Sequence, residues 1–209
     1  MGQLPDLQQA RRRLGLALSA IPNDRWIVGY LRGGCLRPIA ASEISRRFLS
    51  GQQLRPLSRR ALYEHKPVVV NTVVEADDRT TQYDWERDWP TIMYAPIGEP
   101  GHRPIGLLIV GCRRDHWYSD EDVAYAYALG RSLAPMVAAL RGPLGRLNQD
   151  ETAVAHLLGH GFSSDEIARA MGIDERRARS LVDGVTRKLQ AVRNQDLSFP
   201  AMQLKRMTW

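Results

Sequence analysis

The stretch from residue 161 to residue 188, GFSSDEIARAMGIDERRARSLVDGVTRK, constrains the fold of this chain more than any other. Ser163 followed by Glu166 forms a capping box, which predicts the start of a short helix. Gly172 and Ile173 then make a turn, and Asp174 is well placed to cap a second helix. In that helix the apolar residues fall at i, i+3, i+4, i+7 and i+11: Ala178, Leu181, Val182, Val185 and Leu189. This pattern predicts a helix-turn-helix, whose second helix can enter a DNA major groove.

Positive charge is concentrated on the exposed face of this second helix. Residues 175–188 contain five basic and two acidic residues. By contrast, residues 147–209 contain nine Lys or Arg and eight Asp or Glu, a net charge of only +1. The whole chain has a formal net charge of +6. Because phosphate attraction fades over about a Debye length of ~10 Å, local clustering matters more than total charge for contact with DNA.

The segment GFSSDEIARAMGIDERRARSLVDGVTRKLQAVRN resembles the LuxR-type helix-turn-helix of bacterial transcription regulators, over about residues 147–194. The resemblance implies a four-helix domain that binds double-stranded DNA through a recognition helix at 175–189. The sequence departs from the family at Arg177-Ala178-Arg179, where Thr-Val-Lys is usual, which leaves the preferred DNA sequence open. We expect Arg176, Arg177 and Arg179 to reach base edges. Arg187 and Lys188 lie further along the helix and are expected to contact phosphate. The predicted DNA-binding residues are Ser163, Ser164, Arg176, Arg177, Arg179, Ser180, Arg187 and Lys188.

The part of the chain before residue 141 alternates between strand and helix patterns. RWIVGYL and CLRPIAA predict a β-hairpin around Gly33-Gly34. PVVVNTV, TIMYAPI and PIGLLIVGC predict three more strands because they are rich in Val and Ile. Helices are predicted at the start, over PLSRRALYEH, and over SDEDVAYAYALGRSLAPMVAAL. The predicted fold class is therefore α+β, an antiparallel sheet flanked by helices and followed by an all-α unit.

Three segments, LRPLSRRALYEHKPVVVN, APIGEPGHRPIGLLIVG and WYSDEDVAYAYALGRSLAPMVAAL, are similar to the GAF domain, a small ligand-sensing module, over residues 6–140. The resemblance implies a pocket for a small-molecule effector, walled by Trp85, Trp89 and Tyr94. The alternative is that these aromatic residues are ordinary core or a dimer contact. The predicted division is a sensor and dimerisation domain at 1–141, a linker at 142–146 around RGPLG, and a DNA-binding domain at 147–209.

Other classes of function find little support in the sequence. No Gly-rich phosphate loop, nucleophile elbow or paired-carboxylate motif is recognisable, so we expect a protein that is not an enzyme and uses no cofactor. Cys35 and Cys112 match no metal or redox spacing, and a redox role is the weaker alternative. His156 and His160 lie one helical turn apart, but with no third ligand in view they are predicted to be exposed rather than metal-bound.

The predicted function is transcription regulation by a homodimer. We expect pairing of two chains through the opening and closing helices of the first domain, which sets the spacing of two recognition helices. RNA polymerase is a further expected partner. The sequence contains neither a 20-residue apolar span nor a signal peptide, which predicts a cytoplasmic protein without a membrane partner. Two alternatives stay open: the GAF-like domain is a ligand-free scaffold, or it is a cysteine-dependent enzyme or redox sensor.

Overall fold

A computed structural model describes residues 7–43, 52–71, 89–113 and 117–190. Within these ranges the chain forms six strands and six helices. The strands are β1 (Arg25–Arg32), β2 (Cys35–Ala41), β3 (Gln52–Gln53), β4 (Val68–Asn71), β5 (Thr91–Ile97) and β6 (Gly106–Cys112). The helices are α1 (Leu7–Leu18), α2 (Pro56–Glu64), α3 (Asp120–Leu144), α4 (Gln149–Gly159), α5 (Ser164–Met171) and α6 (Glu175–Gln190).

The six strands form one sheet in the order β3-β2-β1-β6-β5-β4, and each strand pairs antiparallel with its neighbours. This confirms the predicted α+β class with an antiparallel sheet. The predicted hairpin is also confirmed, because Gly33 and Gly34 have φ values of 57° and 75° between β1 and β2. Two consecutive positive φ values suit a tight hairpin turn, and glycine adopts them without a steric penalty.

Side chains alternate between the two faces of the sheet, as the period of a strand requires. One face, which includes Val28, Tyr30 and Val110, packs against α1 and α3. The other face, which includes Ile27 and Ile109, packs against α2. Both faces are therefore covered by helices, and the sheet strands β5 and β6 are buried along their whole length.

Helix α3 approaches the sheet closely at Gly130. A Cβ atom at this position would lie 2.5 Å from the carbonyl oxygen of Pro96 in β5. The absence of a side chain thus lets helix and strand backbones meet. Ser119 begins the helix as predicted: its hydroxyl accepts the backbone N–H of Asp122, while the Asp122 carboxylate accepts the backbone N–H of Ser119.

The same helix extends further than the sequence indicates. It continues to Leu144, so residues 142–144 of the predicted linker are helical and only Gly145 and Arg146 are left for the turn. By length and composition, Asp120–Gly142 would suffice to cross a membrane. Its apolar side chains Ala126, Leu129, Leu133 and Val137 are instead buried against the sheet. This packing is that of a helix that covers one face of a sheet.

Helices α5 and α6 begin at the capping residues that the sequence predicts, and α4 precedes them with a cap of its own. Asn148 and Glu151 form a capping box at the start of α4, with both hydrogen bonds at 2.9 Å. Gly172, with φ 67°, ends α5, and the carboxylate of Asp174 accepts the N–H of Arg177 at 2.8 Å at the start of α6. Residues 191–209, the rest of the predicted DNA-binding domain, lie outside the described ranges.

Helix α4 is buried on almost all sides, which the sequence did not predict. It packs against α6 in one direction and against α1 and β2 in the other. As a result one cluster of buried apolar residues runs without interruption from Leu14 in α1 and Val28 in β1 to Leu189 in α6. The C-terminal helices are therefore docked on the sheet rather than separated from it by an open linker.

Candidate functional site

The clearest surface of functional interest is the exposed side of α6. The helix buries Ala178, Val185 and Leu189 completely and half-buries Leu181 and Val182, which confirms the predicted apolar face. The side chains on the opposite side are exposed: Arg176, Arg177, Arg179, Ser180, Asp183 and Arg187. The short helix α5 and the turn at Gly172-Ile173 precede α6 and pack against its apolar face. The result is a basic helix face that is presented to solvent.

The exposed arginines differ in their ion pairs. Arg177 lies 3.2 Å from the carboxylate of Asp150, and Arg179 lies 3.1 Å from that of Glu175 and 3.8 Å from that of Asp165. Within the described residues, Arg176 has no ion pair. Exposed pairs contribute about 0–1 kcal/mol each, so an incoming anion can displace the carboxylates at little cost.

Lys188 has a partner that the sequence analysis did not anticipate. Its ammonium lies 2.7 Å from both carboxylate oxygens of Glu151, whose side chain is 9% exposed. Burial raises the pKa of Glu151, but the Lys188 ammonium and the Asn148 N–H outweigh burial and hold the pKa below its usual value. Lys188 therefore ties α6 to α4, and the contact with phosphate predicted for it has to compete with this pair.

The two serines at the start of α5 are also partly engaged. The Ser163 hydroxyl donates to the Glu166 carboxylate at 2.9 Å and accepts the Glu166 N–H at 3.3 Å. These bonds with Ser163 lower the pKa of Glu166. Ser164 follows as the first residue of the helix and is half-buried. Both residues lie at an exposed helix start, where the local dipole favours negative charge.

The aromatic residues predicted to wall a ligand pocket do not form one. Trp89 is 2% exposed, and the guanidinium groups of Arg25 and Arg113 lie 4.9 Å and 5.3 Å from the centre of its ring. Tyr94 is buried in β5 within the core cluster beneath α2. Neither residue lines a described cavity. The structure thus supports the alternative that they are core residues, while Trp85 lies outside the described ranges.

A groove beside α2 is a better place for a small molecule in the first part of the chain. Its volume is about 650 Å³. Leu31, Leu54 and Leu62 form an apolar wall, and Arg59 and Arg103 supply positive charge. The groove is large enough for a metabolite and combines an apolar surface with a few charged groups, as ligand sites generally do.

A second cavity lies between the sheet and the C-terminal helices. Its volume is about 580 Å³. The β1–β2 hairpin forms one wall with Arg32 and Arg37, and the turn between α3 and α4 forms the other with Arg146. Three guanidinium groups line this space, and the lining contains no carboxylate. We call it the junction cavity.

His156 is buried and His160 is half-buried where α4 faces α1, so the prediction that they are exposed is wrong. Their ring centroids lie 4.8 Å apart, and the Nε2 atom of each is buried without a hydrogen-bond partner. Burial lowers the pKa of His156 to about 4, with His160 and Arg11 contributing. Burial and Arg11 lower the pKa of His160 to about 4 as well. Among the described residues no group of three or more His, Cys, Asp or Glu is placed to hold a metal ion.

The two cysteines lie at opposite ends of β1. Cys35 pairs with Arg32 across the hairpin, and Cys112 follows Gly111, which pairs with Arg25. A strand of eight residues separates these ends by roughly 25 Å, far beyond the ~7 Å limit between Cα atoms for a disulfide. The two thiols therefore cannot form a bond with each other within this fold.

Comparison with known proteins identifies the fold of the sheet-containing part. No protein-family model matches the chain, and no curated protein matches it. The GAF domain of a phosphoenolpyruvate-protein phosphotransferase from Coxiella burnetii superposes with a TM-score of 0.55 at 19% identity, over 68% of this chain and 88% of that one. At this identity the likeness establishes a shared fold. The chain contains a GAF fold, as the sequence resemblance implied.

Enzymes use the same fold. The type II free methionine-R-sulfoxide reductase of Thermoplasma acidophilum superposes with a TM-score of 0.51 at 20% identity, over 63% of this chain and 89% of that one. The free methionine-R-sulfoxide reductase of Neisseria meningitidis gives 0.52 at 15% identity, over 65% and 80%. The prediction that the chain is not an enzyme is therefore contradicted, because the absence of familiar catalytic motifs does not exclude catalysis from a fold that performs it elsewhere.

Proposed function

We propose that this protein is a bacterial transcriptional regulator of the LuxR type that inserts α6 into the major groove of promoter DNA. The observation that carries the proposal is the pair α5 and α6: a capped short helix, a glycine turn, and a second helix that buries its apolar face and exposes its arginines. A helix-turn-helix requires both a buried face for support and a basic face for contact.

Within α6 we assign base contact to the arginines nearest the helix start. Arg176 is exposed and lacks an ion pair among the described residues, so it reaches DNA without breaking a contact. Arg177 and Arg179 exchange exposed carboxylates for phosphate or base oxygens. Arg187 lies about three helical turns after Arg176 and contacts the phosphate backbone. Lys188 is assigned mainly to the pair with Glu151.

We propose that residues 1–141 form the sensor and dimerisation domain and residues 147–209 the DNA-binding domain. The matched GAF folds cover a share of the chain close to that of residues 1–141. The groove beside α2 is the proposed effector site, in place of the aromatic residues predicted from sequence. The alternative is that this domain is a scaffold whose groove binds no ligand. If an effector does bind there, it acts only by binding the two states of the protein with different affinities.

Dimerisation is proposed through α1 and α3, which lie side by side: the Tyr125 hydroxyl of α3 donates to the Ala17 carbonyl of α1 at 2.8 Å. Leu16 is 74% exposed and Trp117 is 62% exposed near this pair of helices. Helix α3 also exposes a stripe of mostly small side chains at helical spacing: Ala124, Ala128, Arg131, Pro135 and Ala138. A second copy packed on this stripe would cover apolar surface. The protein would then act in the cytoplasm, with RNA polymerase as a further partner.

The experiment that tests the proposal is capture of genomic DNA fragments by the purified protein, with competitor DNA present. We expect enrichment of a few fragments that contain a two-fold repeat with half-sites about one helical turn apart. Arg176→Ala should lower affinity for these fragments about tenfold or more and relax base preference at one position of each half-site, since one base contact contributes about 1–3 kcal/mol.

Arg60→Ala is the matched control. Arg60 is an exposed arginine on α2, 2.8 Å from the carboxylate of Glu64, and lies away from α6. Its replacement should leave the enriched fragments and their affinity unchanged. Uniform binding to all fragments, no binding, or equal effects of the two substitutions would overturn the assignment of α6 as a recognition helix.

A further inference from the structure

The register of the β1–β2 hairpin gathers basic side chains on one face of the sheet. Tyr30 pairs with Arg37 and Arg32 pairs with Cys35. Residues two apart in a strand share a face, and residues directly opposite lie about 4.5–5.5 Å apart at Cβ. Arg32, Arg37 and Cys35 therefore project to the same side as Tyr30, which is the side covered by α1 and α3.

The second wall of the junction cavity comes from the turn between α3 and α4 and from the start of α4. Gly145 and Arg146, which connect α3 to α4, lie across the junction cavity from the hairpin. A Cβ atom at Gly145 would lie 3.1 Å from a terminal nitrogen of Arg32, so the guanidinium of β1 reaches the turn. Asn148 and Gln149 at the start of α4 close the same wall. The cavity thus has one wall from each part of the chain.

The positive charge in the junction cavity is not neutralised by the described residues around it. Neither Arg32, Arg37 nor Arg146 forms an ion pair there, and the Nε atom of Arg37 is buried without a hydrogen-bond partner. The carboxylates that follow Arg146 most closely in the chain are those of Asp150 and Glu151. Asp150 pairs with Arg177 of α6, and Glu151 pairs with Lys188 of α6. A buried donor without a partner costs free energy, and three like charges repel, unless an anion satisfies both.

The Tyr30 hydroxyl lies near the guanidinium groups of Arg32 and Arg37 and near that of Arg141. Burial raises the pKa of its hydroxyl, and the charges of Arg37, Arg32 and Arg141 act against this rise. Three arginines from β1, β2 and the last turn of α3 are thus close enough to influence one phenol. The cluster is a local concentration of positive charge rather than scattered surface arginines.

We propose that the junction cavity binds a small anion with two or more negative charges, of the phosphate or diphosphate class, through Arg32, Arg37 and Arg146. Guanidinium groups bind phosphate oxygens with paired, charge-assisted hydrogen bonds. A concave space of about 580 Å³ suits a small molecule. Because the anion touches both β2 and the turn before α4, its binding fixes the C-terminal helices on the sheet. The binding step itself does not depend on DNA recognition by α6.

The test is titration of the purified full chain with inorganic pyrophosphate and, separately, with adenosine diphosphate, by calorimetry at low and moderate salt. We expect saturable binding of one anion per chain, weaker at higher salt because the contacts are ionic. Equal affinities would indicate that only the diphosphate group is recognised. A higher affinity for the nucleotide would indicate that the remaining cavity holds the nucleoside. Absence of saturable binding to either anion would overturn the proposal.

Arg32→Gln/Arg146→Gln removes two exposed cavity charges, and we expect at least a tenfold loss of pyrophosphate affinity. Adding Arg37→Gln should reduce it further. The matched control is Arg60→Gln/Arg169→Gln, which removes two exposed arginines that line neither the junction cavity nor the groove beside α2, and which should bind pyrophosphate like wild type. Unfolding temperature should rise with pyrophosphate for wild type and the control but not for the cavity variant. Equal affinity in the wild type and the cavity variant would contradict the site.

Cys35 supplies a local readout, since it lines the cavity and is half-buried while Cys112 is buried. Pyrophosphate should slow alkylation of Cys35, measured by mass spectrometry, and leave Cys112 unaffected. A cavity variant that loses affinity for DNA duplexes but keeps pyrophosphate binding would show that these arginines contact DNA phosphates instead, which overturns the small-anion proposal. Failure of DNA capture with pyrophosphate binding intact would affect only the proposed regulator function.

Discussion

One partly buried ion pair, between Glu151 of α4 and Lys188 of α6, joins two of the C-terminal helices. Glu151 serves two roles at once: one carboxylate oxygen accepts the Asn148 N–H at the start of α4, and both oxygens contact the Lys188 ammonium of α6. The carboxylate is shielded from water and would be left without a counter-ion if the lysine were removed. Breaking such a pair is costly even where the pair itself adds little net stability.

We predict that Lys188→Met lowers the free energy of unfolding by about 1–3 kcal/mol, because Glu151 then stays charged in a partly desolvated position. The measurement is urea unfolding followed by circular dichroism. Arg187→Met is the matched control, an exposed neighbour in the same helix, and should change stability by less than about 0.5 kcal/mol. A Lys188 variant as stable as the control would show that the pair is dispensable.

At the scale of elements, helix α3 packs on the sheet with one side and exposes a stripe of small side chains with another. Gly130 brings it against β5, while Ala124, Ala128 and Ala138 stay in solvent. The apolar composition that makes this helix resemble a membrane span is thus divided between the core and this stripe. Small side chains allow close approach of a second helix, which favours the proposed dimer.

We predict that Ala128→Glu raises the dimer dissociation constant at least tenfold, because a carboxylate in the centre of the stripe would lose its hydration when two copies pair. Sedimentation velocity across a micromolar concentration series measures this change. Arg60→Glu introduces the same side chain on α2, on the other face of the sheet, and should leave dimerisation intact. A wild-type protein that is monomeric throughout the series would exclude the proposed pairing.

At the scale of the whole molecule, the buried side chain of His156 connects the stability of the protein to pH. In the folded chain the pKa of His156 is lowered to about 4, below its value of 6.5 in the unfolded chain. Above pH 6.5 both states are neutral at this residue. As pH falls from 6.5 towards 4, the unfolded state binds a proton that the folded state does not, so stability falls. His160 and Arg11 face His156, and charging the histidines would bring positive charges together.

We predict that the wild type loses about 1.4 kcal/mol of unfolding free energy between pH 7.5 and pH 5.5 through His156, and that His156→Phe shows a smaller loss. Phenylalanine fits because the Nε2 atom of His156 makes no hydrogen bond. Urea unfolding at several pH values measures the slope. His102→Gln, at an exposed histidine, is the control and should match wild type. Identical slopes for His156→Phe and wild type would refute this linkage.

Local sequence signals determined much of the secondary structure. The hairpin glycines, the capping boxes at Ser119 and Ser163, and the apolar spacing in α6 act between residues close in the chain, so their outcome is readable from sequence. The strands CLRPIAA and TIMYAPI coincide with β2 and β5 for the same reason. The chain resembles a GAF domain in sequence, and the comparison of structures shows the same fold at 19% identity.

Tertiary structure decided which side chains are available. Trp89 resembled a pocket residue in sequence but is buried next to two arginines, and His156 resembled a surface residue but is buried where α4 faces α1. Lys188 is engaged by Glu151, 37 residues away along the chain. The junction cavity exists only because the β1–β2 hairpin and the turn before α4 meet. Burial and charge pairing depend on contacts between distant segments, and the spacing of residues along one segment carries no information about them.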